Sequence, residues 1–240
     1  MNFIEPVLEV AAAHRQRTGR PFVTLSYAQS LDGCISARPG VALALSGRQS
    51  LKLTHKLRAE HDAILVGIGT VLSDNPRLNV RLVDGDNPRP IVVDSRLRLP
   101  LDCNLLTQES GRPWIATIEK PDKKRSIALE AAGASILTLP SNSKGQVNLH
   151  ALLDKLAGLG INSLMVEGGA RIITSFLLER LANYIVLTVA PVLVGGLRAV
   201  SDLGQSDPEN CLRIKNRGHR WLGEDLILWG HLATEPNDEQ

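Results

Sequence analysis

Glu167 stands at the end of an apolar run, Ser163 to Val166, and is followed by Gly168, Gly169 and Ala170 before a helical stretch from Arg171 to Glu179. A glycine turn between strand and helix leaves backbone N–H groups at the positive end of the helix dipole, where phosphate or another anion binds. A carboxylate beside such a place repels the anion unless it has its own task. The same glycines also read simply as a tight turn. A second group of residues follows the apolar run 63–66 in GIGTVLSDNPRLNVR. Thr70 and Asp74 are four apart and share a face if a short helix forms, and Arg77 and Arg81, similarly spaced, could clamp phosphate. Thr70 as a helix cap and Asp74 opening an Asp-Asn-Pro turn is the competing reading. A third group, Ser95, Arg96 and Arg98 in VDSRLRLP, fits the 2′-phosphate of NADPH or a solvated charged turn.

These residues need elements to hold them. Helical spacing covers 3–17 and 47–60; strand-like runs cover 22–27, 63–66, 90–93, 114–118, 135–139, 163–166, 184–190 and 225–230. Further helices are expected over 126–132, stopped by Gly133, over 149–159, stopped by Gly160, and over 171–181. The stretch 198–220 reads as loop-rich. Strands alternating with helices imply an α/β fold with a mostly parallel sheet, and the late strands without intervening helices imply antiparallel pairing at one edge. In such sheets ligands lie beyond the carboxyl ends of the strands. No linker divides the 240 residues, so one domain over 20–235 with a helical extension over 1–19 is expected.

Composition narrows the partners. Hydrophobic residues are 43%, charged residues 22% and aromatics 3%, with net charge +2. Few aromatics and no basic run speak against nucleic acid. Cys34, Cys103 and Cys211 are odd in number and form no C-x-x-C pair, so neither zinc nor a disulfide framework is expected and a reducing compartment fits. No metal is expected; of the six histidines, His55 and His61 have no metal-ligand spacing to a partner and read as surface or satisfied polar residues. No signal peptide or membrane-length run is seen, and cytoplasm is the expectation. The complete G-x-G-x-x-G, H-x-E with P-C-x-x-C, G-x-S-x-G and P-loop patterns are absent.

Five motifs in order, FVTLSYAQSLDG (22–33), HKLRAEHDAILVGIGTVLSDNPRLNVR (55–81), PIVVDSRLRLP (90–100), LMVEGGARIITSFL (164–177) and VAPVLVGG (189–196), resemble the pyrimidine reductase family of riboflavin biosynthesis. The resemblance implies a dihydrofolate-reductase-like three-layer α/β sandwich, NADPH as cofactor, and reduction of the ribose of a ribosylaminopyrimidine 5′-phosphate to ribityl. It implies cofactor contacts from Ala28, Thr70, Asp74 and Ser95, and a pyrophosphate cradle from Gly168, Gly169, Ala170, Arg171 and Ile172, within a stretch reaching Ser175. It implies substrate contacts from Ser26, Arg58, Leu78, Arg81 and Glu167, the arginines near the phosphate and Glu167 near the reacting end. Asp32 lies close by in the family pattern and is a candidate proton donor, although Asp32-Gly33 also reads as a hairpin turn.

Many bacterial members are fused to a deaminase, whereas this chain looks like the reductase alone. Fused members usually carry Lys at the place of Ser26 and S-x-W at the place of Ala42 and Ala44. The LSYAQSLD form is more similar to stand-alone reductases acting before deamination, which points to 2,5-diamino-6-ribosylamino-4(3H)-pyrimidinone 5′-phosphate. The alternatives are the deaminated 5-amino-6-(5-phosphoribosylamino)uracil, a non-catalytic nucleotide-binding relative, and a pterin enzyme. The last is disfavoured by arginines that a folate site does not need. The resemblance also implies a homodimer, for which Tyr184 to Val194 could supply a strand interface or equally be core.

Overall fold

The computed structural model describes residues 5–107 and 111–233. Residues 1–4 of the expected N-terminal extension, and 108–110 and 234–235 of the expected domain, lie outside them. In chain order the elements are α1 (Glu5–Thr18), β1 (Phe22–Ser30), β2 (Cys34–Ser36), α2 (Arg48–Ala59), β3 (Ala63–Gly67), α3 (Ile68–Asp74), β4 (Arg89–Val93), α4 (Asn104–Thr107), β5 (Trp114–Ile118), α5 (Lys123–Ala131), β6 (Ser135–Leu139), α6 (Leu149–Gly158), β7 (Ser163–Val166), α7 (Ala170–Leu178), β8 (Tyr184–Ala190), β9 (Leu197–Arg198), β10 (Ile214–Leu222) and β11 (Asp225–Leu232). They fall into two compact units, Met1–Phe22 with His55–Met165, and Val23–Thr54 with Val166–Gln240. Strand pairing is mostly parallel with an antiparallel C-terminal hairpin, so the α/β expectation stands.

In the first unit β3, β4, β5 and β6 pair in parallel in that order. All five residues of β3 are buried, which is why AILVG shows no alternation. Helix α6 buries Leu149, Leu152, Leu153, Leu156 and Ala157, the one-sided stripe of a helix against a sheet. Each buried leucine stabilises by about 1.5–3 kcal/mol. Asn148 caps the start of α6 by accepting from the Ala151 amide at 3.1 Å, and Asp122 caps α5 through Arg125 at 3.0 Å. Helix α5 therefore begins a turn before the expected Ser126. Gly133 and Gly160 take φ of 100° and 91° just beyond their helices. Helix α1 is tied down by Arg15, which donates to Asn162 Oδ1 at 2.7 Å, and by edge-to-face packing of His14 on Phe22.

In the second unit β1 and β8 run parallel from Thr24 opposite Tyr184 to Ser30 opposite Ala190. β11 pairs antiparallel with β8, and β10 with β11. The loop-rich expectation for 198–220 fails here, because Ile214–Leu222 is a nine-residue strand. Its polar sequence faces outward, and a bulge between Lys215 and Gly218, with Asn216 at φ 48°, breaks the alternation that would have marked it. Gly218 is required there: a Cβ would lie 2.6 Å from the Trp229 ring. The short strands β2 and β9 and the helix α4 carry too few residues for a periodic signal. Helix α7 ends at Leu178, before the expected 181.

Candidate functional site

In the second unit the chain leaves β7 through half-buried Glu167 and enters α7 one residue earlier than expected, at Ala170. Gly169 is the N-cap at φ −74° and offers no side chain to cap the helix, so the first-turn amides are not taken by a capping group. Gly168 is needed for a different reason than turning. A Cβ there would sit 2.6 Å from Ile172 Cγ2 and 2.7 Å from Ile172 Cβ, so the glycine lets the backbone lie flat against its own helix. Ala170 is buried and Arg171 exposed. Farther along, buried Thr174 accepts the Ser201 amide on its hydroxyl at 3.0 Å.

Ser26 and Ala28 lie on one face of β1, Ser26 buried and Ala28 half-buried. Asp32 follows, and its carboxylate is engaged on both oxygens. Oδ1 accepts from the Ser30 hydroxyl at 2.5 Å and the Val194 amide at 3.0 Å; Oδ2 accepts from the Gly195 amide at 2.7 Å and the Cys34 thiol at 3.5 Å. The Ser30 hydroxyl first, then the two amides, hold this carboxyl well below the usual carboxylate range. These donors favour the ionised form and make the Asp32 carboxylate a clamp between the turn after β1 and the segment after β8. Ala42 and Ala44 are exposed in a segment without regular structure, whose end is fixed by the Gly47 amide on the buried Asp225 carboxylate at 2.8 Å.

In the first unit Thr70 and Asp74 are the third and last residues of α3, one turn apart on a shared face. Gly67, not Thr70, is the N-cap. The helix ends in left-handed Asn75, whose side-chain oxygen accepts the Asn104 amide at 2.8 Å. Leu78, also left-handed at φ 53°, is buried. Around the next residue two cations gather: buried Arg58 donates to the Asn79 carbonyl at 3.1 Å, and exposed Arg81 donates to Asn79 Oδ1 at 3.0 Å. The expected substrate residues Arg58, Leu78 and Arg81 are thus brought together.

His55 and His61 are buried, which corrects the surface reading and keeps the satisfied one. His55 Nδ1 accepts the Arg81 amide at 3.1 Å, and His61 Nδ1 lies 2.6 Å from the Leu57 carbonyl. Burial foremost, then Arg58 and Arg81, push His55 down to about 4.

The Ser95 hydroxyl accepts the Val147 amide at 3.1 Å, leaving its own proton for an acceptor. The turn around it is built by Asp94, which sequence reasoning passed over because a single carboxylate in VDSR looks like another surface charge. Asp94 is fully buried, accepts the Leu99 amide at 2.9 Å and lies 3.9 Å from Arg98 Nε. Burial raises its pKa. Arg125 donates to the Leu97 and Leu99 carbonyls, at 2.9 and 2.5 Å. Arg96 and Arg98 are exposed.

Among the described residues no helix is long and apolar enough to cross a membrane, and no group of three or more His, Cys, Asp or Glu could hold a metal.

Residues 21–228 match the family model described as the RibD C-terminal domain. The riboflavin biosynthesis protein RibD of Aquifex aeolicus is 37% identical over 211 residues, which are 88% of this chain and 57% of that protein. The chain therefore spans little more than half of that relative. The 2,5-diamino-6-ribosylamino-4(3H)-pyrimidinone 5′-phosphate reductase of Methanothermobacter thermautotrophicus is 37% identical over 215 residues, 87% of this chain and 97% of that protein. Among solved structures, the riboflavin biosynthesis reductase of Saccharomyces cerevisia superposes with TM-score 0.74 at 30% identity, over 97% of this chain and 100% of that one. A dihydrofolate reductase from Enterococcus faecalis gives TM-score 0.50 at 11% identity over 88% of this chain and 96% of that one, and shows the shared fold alone. This chain has a dihydrofolate-reductase-like fold and belongs to the RibD C-terminal domain family.

Proposed function

We propose that this chain is an NADPH-dependent reductase that converts the ribosyl group of 2,5-diamino-6-ribosylamino-4(3H)-pyrimidinone 5′-phosphate to ribityl. The observation that carries the reading is the gathering of Arg58 and Arg81 on Asn79, a fixed pair of guanidinium groups suited to one small phosphate. The archaeal relative at 37% identity carries the corresponding reductase name. Ser26, small and buried, supports the diamino substrate over the deaminated one, since a hydroxyl can accept from an amino group.

The start of α7 supports a dinucleotide cofactor. The uncapped start of α7 offers amide donors to a pyrophosphate, with Gly168 to Ile172 forming the cradle. Thr70, Asp74, Ser95 and the Ala28 backbone take the remaining contacts. Held there, NADPH would supply the hydride that C1′ of the opened ribosylamine accepts. Glu167 orients the ribose hydroxyls or the amine and favours the open chain, and Leu78 packs on the substrate. With Asp32 committed as a clamp, water is the proton source in this reading. A single reductase domain over 20–235, a homodimer and a cytoplasmic location complete it; the free thiols Cys34, Cys103 and Cys211 support a reducing compartment.

The test is NADPH oxidation by purified protein with the diamino substrate, the deaminated substrate and neither. Turnover is expected with the diamino compound at the higher kcat/KM. Preference for the uracil overturns the substrate assignment, and nucleotide binding without turnover of either overturns the enzyme.

A further inference from the structure

We propose that His55 is a positioning residue for the substrate's phosphate group: its imidazole fixes the main chain at Arg81 so that the guanidinium groups of Arg58 and Arg81 stay gathered on Asn79. The proposal rests on the function above, which gives the two arginines a phosphate to hold.

The geometry is local to one helix and one loop. His55 and Arg58 are three apart on α2 and so share a face. Both reach the loop after α3: His55 Nδ1 accepts the Arg81 amide at 3.1 Å, and Arg58 Nη1 donates to the Asn79 carbonyl at 3.1 Å. The Val80 amide, next to that of Arg81, is held by Asn87 Oδ1 at 2.7 Å. Two consecutive amides are thus fixed by side chains rather than by a strand partner. Leu78 before them is buried in a left-handed conformation that an L residue holds only when its surroundings dictate it. Arg81 then closes on Asn79 Oδ1 at 3.0 Å. Two like charges on one residue repel, and an incoming phosphate offsets that repulsion. A segment under such repulsion needs tethers, and His55 supplies the one at Arg81.

The imidazole suits this task. At 1% exposure its ring fills a buried position as an apolar body, and Nδ1 presents a lone pair to the amide. That hydrogen bond assigns the neutral tautomer with its proton on Nε2. Burial first, and then the two facing cations, keep it an acceptor at neutral pH.

The experiment compares kcat/KM for the phosphorylated substrate and for its dephosphorylated counterpart in the wild type, His55→Phe, His55→Asn and Asn79→Ala. Losing a tether of one hydrogen bond is expected to cut the preference for the phosphorylated substrate about tenfold in His55→Phe. The dephosphorylated substrate should be turned over as before. His55→Asn, which puts an acceptor oxygen near the place of Nδ1, should restore most of the preference, and Asn79→Ala should lose it. An undiminished preference in His55→Phe, or a parallel fall for both substrates, overturns the proposal. If His55→Phe does not fold, an undiminished preference in Asn79→Ala does the same. A wild type indifferent to the phosphate overturns the functional reading itself, and this proposal with it, before any variant is compared.

Discussion

The Asp32 carboxylate and the Gly195 amide, 163 residues apart in the chain, meet at 2.7 Å. With the neighbouring Val194 amide at 3.0 Å, this bond ties the turn after β1 to the segment after β8, at the same end of two parallel strands. The segment continues to Ser201, whose amide rests on Thr174 of α7. A carboxylate 30-odd residues into the chain thereby helps to fix a backbone stretch hydrogen-bonded to the helix assigned to the pyrophosphate.

Asp32→Asn should lower the urea midpoint at pH 7. Because the folded-state pKa is depressed, the carboxylate's contribution is fully present above its unfolded value of about 3.9 and fades as pH falls below it. The gap between wild type and variant should therefore shrink from pH 5 to pH 3. A gap that stays constant over that range would show that the charge is not what the amides need.

How much of this could be read in the sequence depends on what each residue does. β3, β4 and β7 are legible because burial on both faces gives unbroken apolar runs. β10 is not, because basic and polar residues with a bulge look like a loop. Gly168 is legible as a glycine, but its reason, the approach of Ile172, exists only in three dimensions. Asp94 and His55 carry no spacing signal, since their partners are backbone amides that every residue possesses. Arg58 and Leu78 are legible only through the family resemblance, and Arg81 also through its spacing from Arg77; what folding adds is Asn79 between Arg58 and Arg81.

Gly168→Ala should disturb the helix start even though its φ is not left-handed. The new methyl meets half-buried Ile172 at both Cγ2 and Cβ, and the shift that relieves such an overlap costs about 1–3 kcal/mol. NADPH affinity should fall along with thermal stability. Adding Ile172→Val should not rescue either, because the Ile172 Cβ is itself 2.7 Å from the added carbon. Full rescue by valine would mean that only the flexible end of the isoleucine stands in the way.

Glu167→Gln keeps the shape of the side chain and removes its charge. If the carboxylate orients the reacting end, kcat should drop on the order of a hundredfold while the NADPH dissociation constant stays within a factor of two or so. Near-normal kcat with intact cofactor binding removes Glu167 from the mechanism.

Asp94 separates charge from hydrogen bonding. Its Oδ1 is buried without a hydrogen-bond partner, and burial raises its pKa, so the ionised form opposes folding as pH rises through the folded-state value. Asp94→Asn keeps an acceptor for the Leu99 amide and removes the buried charge; it should be at least as stable as wild type at pH 8. Asp94→Ala strands that amide and should lose about 1–3 kcal/mol. Equal destabilisation by both would make the charge itself the stabilising feature.

The two buried histidines set the opposite trend at acid pH. Burial pushes His61 down to about 4 from an ordinary 6.5, against the pull of the Leu57 carbonyl and Asp62, and His55 falls to a similar value. Between pH 6.5 and 4 the unfolded chain therefore binds protons that the folded chain refuses, and stability declines with falling pH. His61 alone accounts for roughly 3 kcal/mol across that interval. Protonation of Asp94 works the other way, so the rings are isolated by comparing wild type with the His61 variant, and Asp32 adds its loss only below about pH 4. Between pH 6.5 and 4 the urea midpoint of the wild type should fall more steeply than that of His61→Phe, which should itself have a lower midpoint at pH 7. Wild type and His61→Phe falling in parallel over that interval would mean that the His61 ring takes up its proton in the folded state.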